Sequence, residues 1–251
     1  MTSRGHDPFP ASALAWLAPE RPSKVLAVGR ASAPTAARLA TGHRVTLVDR
    51  SASALRSLHH RLGGMTAVAA NADALPFVPC AFDEVLVAQG LHLLAPGLAL
   101  AEFARVLAPA GRLAVLYTVR DDSVPWVRRL AALLQSVDPD AMRGDTGIGS
   151  ASALTGSPYF PSVENRSFRM WVPMTREGLL EMVAVSPRIA AVDDGTRGSL
   201  LHEVGRLYDG SARAPEPLLL PYQVACWRAT VDHSELSAPL ELPDEGLRIR
   251  L

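Results

Sequence analysis

A chain of 251 residues with 48% hydrophobic content holds enough apolar mass for a packed α/β core, as one large domain or a domain with an elaborated lid. The 25 basic and 25 acidic side chains cancel, which excludes a polybasic footprint for nucleic acid or an anionic membrane surface. No apolar run reaches the ~20 residues of a membrane-spanning helix and no apolar signal segment opens the chain, so a cytoplasmic protein is expected. Cys80 and Cys226 match no metal or redox spacing and are expected to be reduced core residues.

Residues 1–10 are polar and interrupted by proline; Ala11 to Ala18 reads as a short helix packed on a sheet edge, ended by Pro19 and Pro22. The centre of the chain is Lys24 to Asp49. Val25 to Val28 is a short apolar run, the pattern of a buried parallel strand, and Gly29 to Ala33 is a tight turn of small residues. Ser32 or Ala33 is placed to cap a helix opened by Pro34 and closed near Thr41 and Gly42. Val45 to Val48 returns as a second strand that ends in Asp49. A β-α-β unit with a glycine turn after its first strand and a carboxylate after its second is suited to a nucleotide-like ligand, because the helix start faces the ligand and the acid can bridge ribose hydroxyls.

Further on, Ser51 caps a helix over Ala52 to Arg61, which Gly63 and Gly64 stop, and Met65 to Ala70 is a third strand. Phe82 to Ala88 is a buried fourth strand, Gly97 to Leu107 a helix with Glu102 and Arg105 on its outer side, and Arg112 to Val119 a fifth strand. Strands alternating with helices at this spacing imply a mostly parallel sheet with right-handed crossovers. Beyond Arg120 the rhythm changes: a helix over Trp126 to Val137, a Gly-, Ser- and Asp-rich stretch from Asp138 to Ser157, a strand over Ser162 to Val172, helices at Thr175 to Val185 and Ser199 to Leu207, and a last strand over Leu218 to Thr230. The expected fold is therefore α/β and Rossmann-like: a mostly parallel seven-stranded sheet with one antiparallel edge strand, helices on both faces and a small lid. A single domain is expected, with a core over about 11–135, a lid and C-terminal strands over about 136–231, and an irregular tail over 232–251. Gly144, Gly147 and Gly149 give the 138–157 stretch the hinge freedom of a closing loop.

With these elements in place, the chain resembles class I S-adenosylmethionine-dependent methyltransferases, specifically the methyltransferase type 11 group that includes trans-aconitate-methyltransferase-like proteins. Lys24 to Ala33 sits where that family has its acid-x-Gly-x-Gly-x-Gly loop, Asp49 where it has the ribose-binding acid, and Ala72 to Phe77 where it has the adenine-side acid. Phe82 to Gln89 matches the fourth strand, His92 a family histidine, and Ala99 to Gly111 the helix-plus-turn signature; Asp121 to Trp126 and Leu220 to Ala229 extend the likeness. The chain departs from the pattern at Ala27, which stands for the loop's acid, at Ala31 and Ala33, which stand for its later glycines, and at Leu93, where relatives often carry Trp.

The resemblance implies methyl transfer from S-adenosylmethionine to a small-molecule oxygen, nitrogen or carboxylate acceptor. It implies cofactor contacts from Gly29, Arg30, Ala31, Asp49, Arg50, Asp73, Ala74 and Gln89: Asp49 on the ribose, Arg50 stacked on adenine or solvated, Asp73 on the adenine amino group and the Ala74 amide on a ring nitrogen. His92 is the candidate catalytic residue, as a general base or as a group that orients the acceptor. Tyr117, Arg120 and Trp126 are candidates for the acceptor pocket. The ordinary readings are a strand-to-helix turn at Gly29, an N-cap at Asp49, a turn acid at Asp73 and a packed histidine at His92. Two other function classes remain open at this level. The altered loop suits a non-catalytic binding protein, and a glycine turn followed by an acid about twenty residues later also fits a nicotinamide-dependent oxidoreductase, although Pro34 occupies the place of that pattern's third glycine.

Overall fold

The computed structural model describes residues 9–58, 65–121, 123–142, 149, 151–213 and 217–237. Helix α1 (Ala11–Leu17) leads into β1 (Lys24–Val28), a single 3-10 turn at Arg30–Ser32, α2 (Ala33–Leu39), β2 (Arg44–Asp49), α3 (Ala52–Leu58) and β3 (Thr66–Ala69). Strand β4 (Phe82–Ala88) is followed by a 3-10 turn at Leu91–Leu93, α4 (Pro96–Val106), β5 (Leu107–Arg120) and α5 (Pro125–Gln135). The remainder is α6 (Ala151–Thr155), β6 (Ser162–Met174), α7 (Arg176–Ala184), α8 (Pro187–Ala190), α9 (Asp194–Ser211), β7 (Leu218–Thr230) and the one-turn α10 (Ser234–Ser237). Among the described residues no helix is long and apolar enough to cross a membrane.

The seven strands form one sheet in the order β3-β2-β1-β4-β5-β7-β6. Pairings from β3 to β5 are parallel, and β7 runs antiparallel to both β5 and β6. The antiparallel strand is thus not the edge strand that the sequence suggests; it lies inside, and β6 takes the edge. Composition explains the exchange. Along β7, Leu220, Val224, Cys226 and Ala229 are buried, whereas β6 carries Glu164, Arg166, Arg169 and Pro173, residue types that an open edge tolerates and an interior strand does not.

Successive residues of β1 face opposite layers. Leu26 and Val28 pack with α4, with Leu154 of α6 and with Phe160, while Val25 and Ala27 pack with α1 and α2. Because both faces are covered, these strands read as continuous apolar runs. A third apolar cluster joins α5, α7, α8 and α9 through Leu130, Leu134, Leu179, Val183, Ile189, Leu200 and Val204, and Trp126 packs against it. Thr175 caps α7 by accepting from the Gly178 N–H at 3.1 Å, as its sequence position implies.

Two expectations change. Cys226 is buried, and burial pushes its thiol up to about 12, but Cys80 is exposed on a turn with φ of 58°. The 138–157 stretch is anchored on both sides: Asp138, Ala151, Leu154 and Ser157 are buried, and the last eight residues include α6. Leu154 enters the main core because it sits on the inward side of that short helix. Gly144 and Gly147 lie outside the described residues, as do residues 238–251 of the tail.

One buried charge stands apart from the cleft. Glu84 of β4 is 1% exposed, and neither carboxylate oxygen has a hydrogen-bond partner. Arg112 Nη2 lies 3.6 Å away. Desolvation outweighs the attraction of Arg112 and Arg228 and pushes the Glu84 carboxyl up to about 8.

Candidate functional site

The order of strands reverses between β1 and β4, so their carboxyl ends diverge and leave a crevice, which is where open α/β sheets bind ligands. A cleft of about 560 Å³ occupies this place. Its walls are four loop segments: 28–31 after β1, 48–51 at the end of β2, 70–73 after β3, and 87–90 with Leu93 to Ala95 after β4.

The first loop turns at Gly29, whose φ of 81° and ψ of 146° lie in a region that side-chain-bearing residues avoid. Nothing lies within 4 Å of the place a Cβ would take, so conformation and not crowding demands glycine, and the loop is open on its ligand side. The Gly29 N–H is fixed to the Val48 carbonyl at 2.7 Å. Ala31 and Ala33 have no left-handed backbone; Ala33 is helical, with φ of −57° and ψ of −42°. The alanines that replace the expected glycines are therefore unstrained. Ala27 is fully buried on the α1 and α2 side and does not line the cleft.

Ser32 caps nothing with its side chain. It is completely buried, its hydroxyl donates to the Val28 carbonyl at 2.6 Å, and the same oxygen accepts from the Ala88 N–H at 2.9 Å. It stitches the end of β1 to the end of β4 beneath the cleft. From sequence Ser32 or Ala33 is offered as the helix cap, because the pairing of β1 with β4 is not a local property.

Asp49 organises the second wall. One carboxylate oxygen accepts from the Arg30 N–H at 2.7 Å and the other from the Ser51 N–H at 2.8 Å, which ties the loops after β1 and β2 together. A carboxylate oxygen accepts more than one donor, so both remain able to receive ligand hydroxyls. Ser51 caps α3 as expected, accepting from the Ala54 N–H at 3.2 Å.

Asp73 and its neighbours Asn71 and Ala72 line the third wall. Ala74 does not; its N–H turns back to the Asn71 carbonyl at 3.3 Å. The loop beyond is held from α4. Glu102 accepts from the Leu75 N–H at 2.9 Å and from Arg105, while Arg105 donates to the carbonyls of Leu75 at 3.0 Å and Phe77 at 2.8 Å. The Arg105 guanidinium, with the Leu75 amide, keeps the Glu102 carboxyl below the usual carboxylate range against a desolvation that opposes it. Glu102 and Arg105 thus do not face away from the protein as their helical position suggests. Their three-residue spacing shows the ion pair, but not the loop that it grips.

At the end of β4, Gln89 lines the cleft with φ of 53°, an uncommon conformation for a residue with a side chain and one often found at functional sites. His92 sits on the following 3-10 turn, exposed at the rim and outside the cleft lining. Its backbone N–H donates to the Tyr117 hydroxyl at 3.1 Å, and its Nδ1 lies 3.2 Å from the same oxygen. Tyr117 itself is buried between His92 and Trp227. Leu93, 74% exposed, gives the cleft an aliphatic wall at this point. Of the residues singled out from sequence, the cleft gathers Gly29, Arg30, Ala31, Asp49, Arg50, Asp73 and Gln89, places His92 at its edge and leaves Ala74 aside. Among the described residues no cluster of potential metal ligands occurs.

The comparisons agree with this arrangement. The methyltransferase-domain family model matches residues 26–115, the segment that carries all four cleft loops. An uncharacterized methyltransferase of Mycobacterium tuberculosis is 29% identical over 231 residues, 91% of this chain and 91% of the relative. An uncharacterized methyltransferase of Schizosaccharomyces pombe is 30% identical over 133 residues, 51% of this chain and 53% of its own. In fold, the chain is similar to a structure from Anaeromyxobacter dehalogenans described as a candidate type II methyltransferase, with a TM-score of 0.66, 22% identity, and coverage of 90% of this chain and 97% of that one. The match over residues 26–115 spans the segment that builds the cleft at the switch point, and the likeness to the solved structure is one of fold.

Proposed function

We propose that the cleft binds S-adenosylmethionine and that the chain transfers its methyl group to a small-molecule oxygen, nitrogen or carboxylate acceptor. The observation that carries this reading is Asp49: a carboxylate at the end of β2, lashed to the Gly29 loop and facing a cleft at the topological switch point. The residues fit the group. A volume of about 560 Å³ lies within the ordinary range of cofactor and small-ligand sites, ~300–1,000 Å³. The open left-handed turn at Gly29 lets backbone approach a ligand, Asp49 accepts ribose hydroxyls, and Asp73 accepts the adenine amino group.

When bound, S-adenosylmethionine supplies an electrophilic methyl on a sulfonium. The chain's own task is then alignment, which alone provides much of the acceleration in a reaction that needs no further activation. In this reading His92, held by Tyr117 at the rim beside Leu93, takes a proton from an acceptor hydroxyl or amine, or orients an acceptor that is already anionic.

Calorimetric titration with S-adenosylhomocysteine, S-adenosylmethionine and NAD tests the reading. Heat with the first two and none with NAD is expected. Asp49→Ala should cost about 2–3 kcal/mol of binding, or roughly 30- to 150-fold in affinity. No heat from wild-type protein at millimolar S-adenosylhomocysteine refutes it.

A further inference from the structure

The loop from Ala70 to Phe77 carries Asp73 into the cleft but has neither strand nor helix to hold it beyond Ala70. Its own backbone supplies the Ala70 N–H to the Asp49 carbonyl at 3.1 Å and the 3.3 Å turn at Ala74. Three further backbone groups are met from α4 by Glu102 and Arg105. Glu102 takes the Leu75 N–H; Arg105 spans the Leu75 and Phe77 carbonyls with two arms of one guanidinium while its Nε and Nη2 bind both oxygens of Glu102. The two side chains are 19% and 30% exposed, so the pair is half-shielded and geometrically fixed. The Phe77 ring adds an edge-on contact to Phe82 at 4.9 Å, which fastens the far end of the loop to β4.

We infer that Glu102 and Arg105 are positioning residues for the base end of the cleft: by gripping residues 75–77 they set where Asp73 stands, and thereby make the site prefer a 6-aminopurine nucleoside to a 6-oxopurine one. The inference rests on the cofactor reading above. A carboxylate accepts from a 6-amino group, whereas a 6-oxo group in its place offers it no proton and leaves two acceptors facing each other. Such discrimination survives only while the carboxylate is held in register. Nothing in Glu102 or Arg105 touches the ribose anchor, because Asp49 is held by different amides, those of Arg30 and Ser51.

Paired titrations with S-adenosylhomocysteine and its deaminated analogue S-inosylhomocysteine separate this role from a purely structural one. Wild-type protein should prefer the adenosyl compound by about tenfold or more, as for a site built around one hydrogen-bonding carboxylate. Arg105→Met should remove most of that preference by weakening the adenosyl compound alone. Arg105→Lys, which keeps the charge but loses the fork, should do the same. Glu102→Gln, which keeps the side-chain volume, provides the same measurement should the arginine variants not fold. Asp49→Ala should weaken both ligands equally. A preference that persists undiminished in these variants, or both ligands weakened in step, overturns the inference. A wild-type protein that binds both analogues alike overturns it while leaving the cofactor reading intact, and one that binds neither overturns both.

Discussion

Ser32→Ala isolates the stitch beneath the cleft. The substitution removes one oxygen and two hydrogen bonds, those to the Val28 carbonyl and from the Ala88 N–H. Losing the first costs about 0.5–1.5 kcal/mol net, since a carbonyl has other lone pairs to use. The second is worse. Ala88 is fully buried, so its N–H is left without a partner in a dry site, at about 1–3 kcal/mol. The sum, about 1.5–4.5 kcal/mol, is a large share of the ~5–15 kcal/mol that stabilises an ordinary domain. With a urea slope of about 3 kcal/mol per molar at the upper end for small proteins, the midpoint should fall by about 1 M. Equilibrium urea unfolding, followed by far-UV circular dichroism and tryptophan fluorescence, measures this directly. The slope should stay constant, because the change alters the folded state locally. A midpoint shift under about 0.2 M would mean that the Ala88 N–H has found water or another acceptor, and the account of the stitch would be wrong.

Glu84 makes stability depend on pH. Its carboxyl titrates near 4.5 when unfolded and about 8 when folded, so between those values the folded state holds the extra proton and stability falls as pH rises. The contribution is fully present below pH 4.5 and lost through about pH 8, on the order of a few kcal/mol, and Glu84→Gln should flatten the profile of melting temperature over that window. A wild-type profile that is flat or rises there would contradict a Glu84 whose burial outweighs the attraction of Arg112 and Arg228. At the cleft, Ala31→Gly and Ala33→Gly have no strain to relieve, so each should cost up to about 1 kcal/mol of stability without tightening S-adenosylhomocysteine. Tightening by calorimetry would show that the alanine Cβ atoms obstruct the ligand.

The strands were legible from sequence where burial on two faces writes itself as a run of apolar residues. Val25 to Val28, Phe82 to Ala88 and Leu218 to Thr230 fall where that reading places them. Helix ends were less exact: α9 begins at Asp194, well before Ser199, because Asp193 caps it by accepting from the Thr196 N–H at 2.9 Å, and its polar first turns carry little apolar periodicity. The place of β7 inside the sheet could not be read from the order of elements. It follows from a comparison of two strands far apart in sequence, one apolar and one studded with arginine, and only the pairing of β7 with β5 on one side and β6 on the other decides between them.

The site divides along the same line. Gly29 and Asp49 are marked by their places, a glycine after the first strand and an acid at the end of the second, and both line the cleft. Ser32, Glu102 and Arg105 carry no such mark, since serine, glutamate and arginine are at home on any helix surface. What gives them their role is the approach of a second segment: β4 to Ser32, the loop after β3 to the Glu102–Arg105 pair. The departures at Ala31 and Ala33 show the converse. A missing glycine matters only if its backbone angle is still required, and here the turn has kept its left-handed residue at Gly29 and folded the next three positions into a 3-10 turn where alanine is comfortable. The altered loop is therefore no argument against a ligand, and in the reading proposed above recognition rests on the two carboxylates, Asp49 and Asp73, and on whatever holds each of them still.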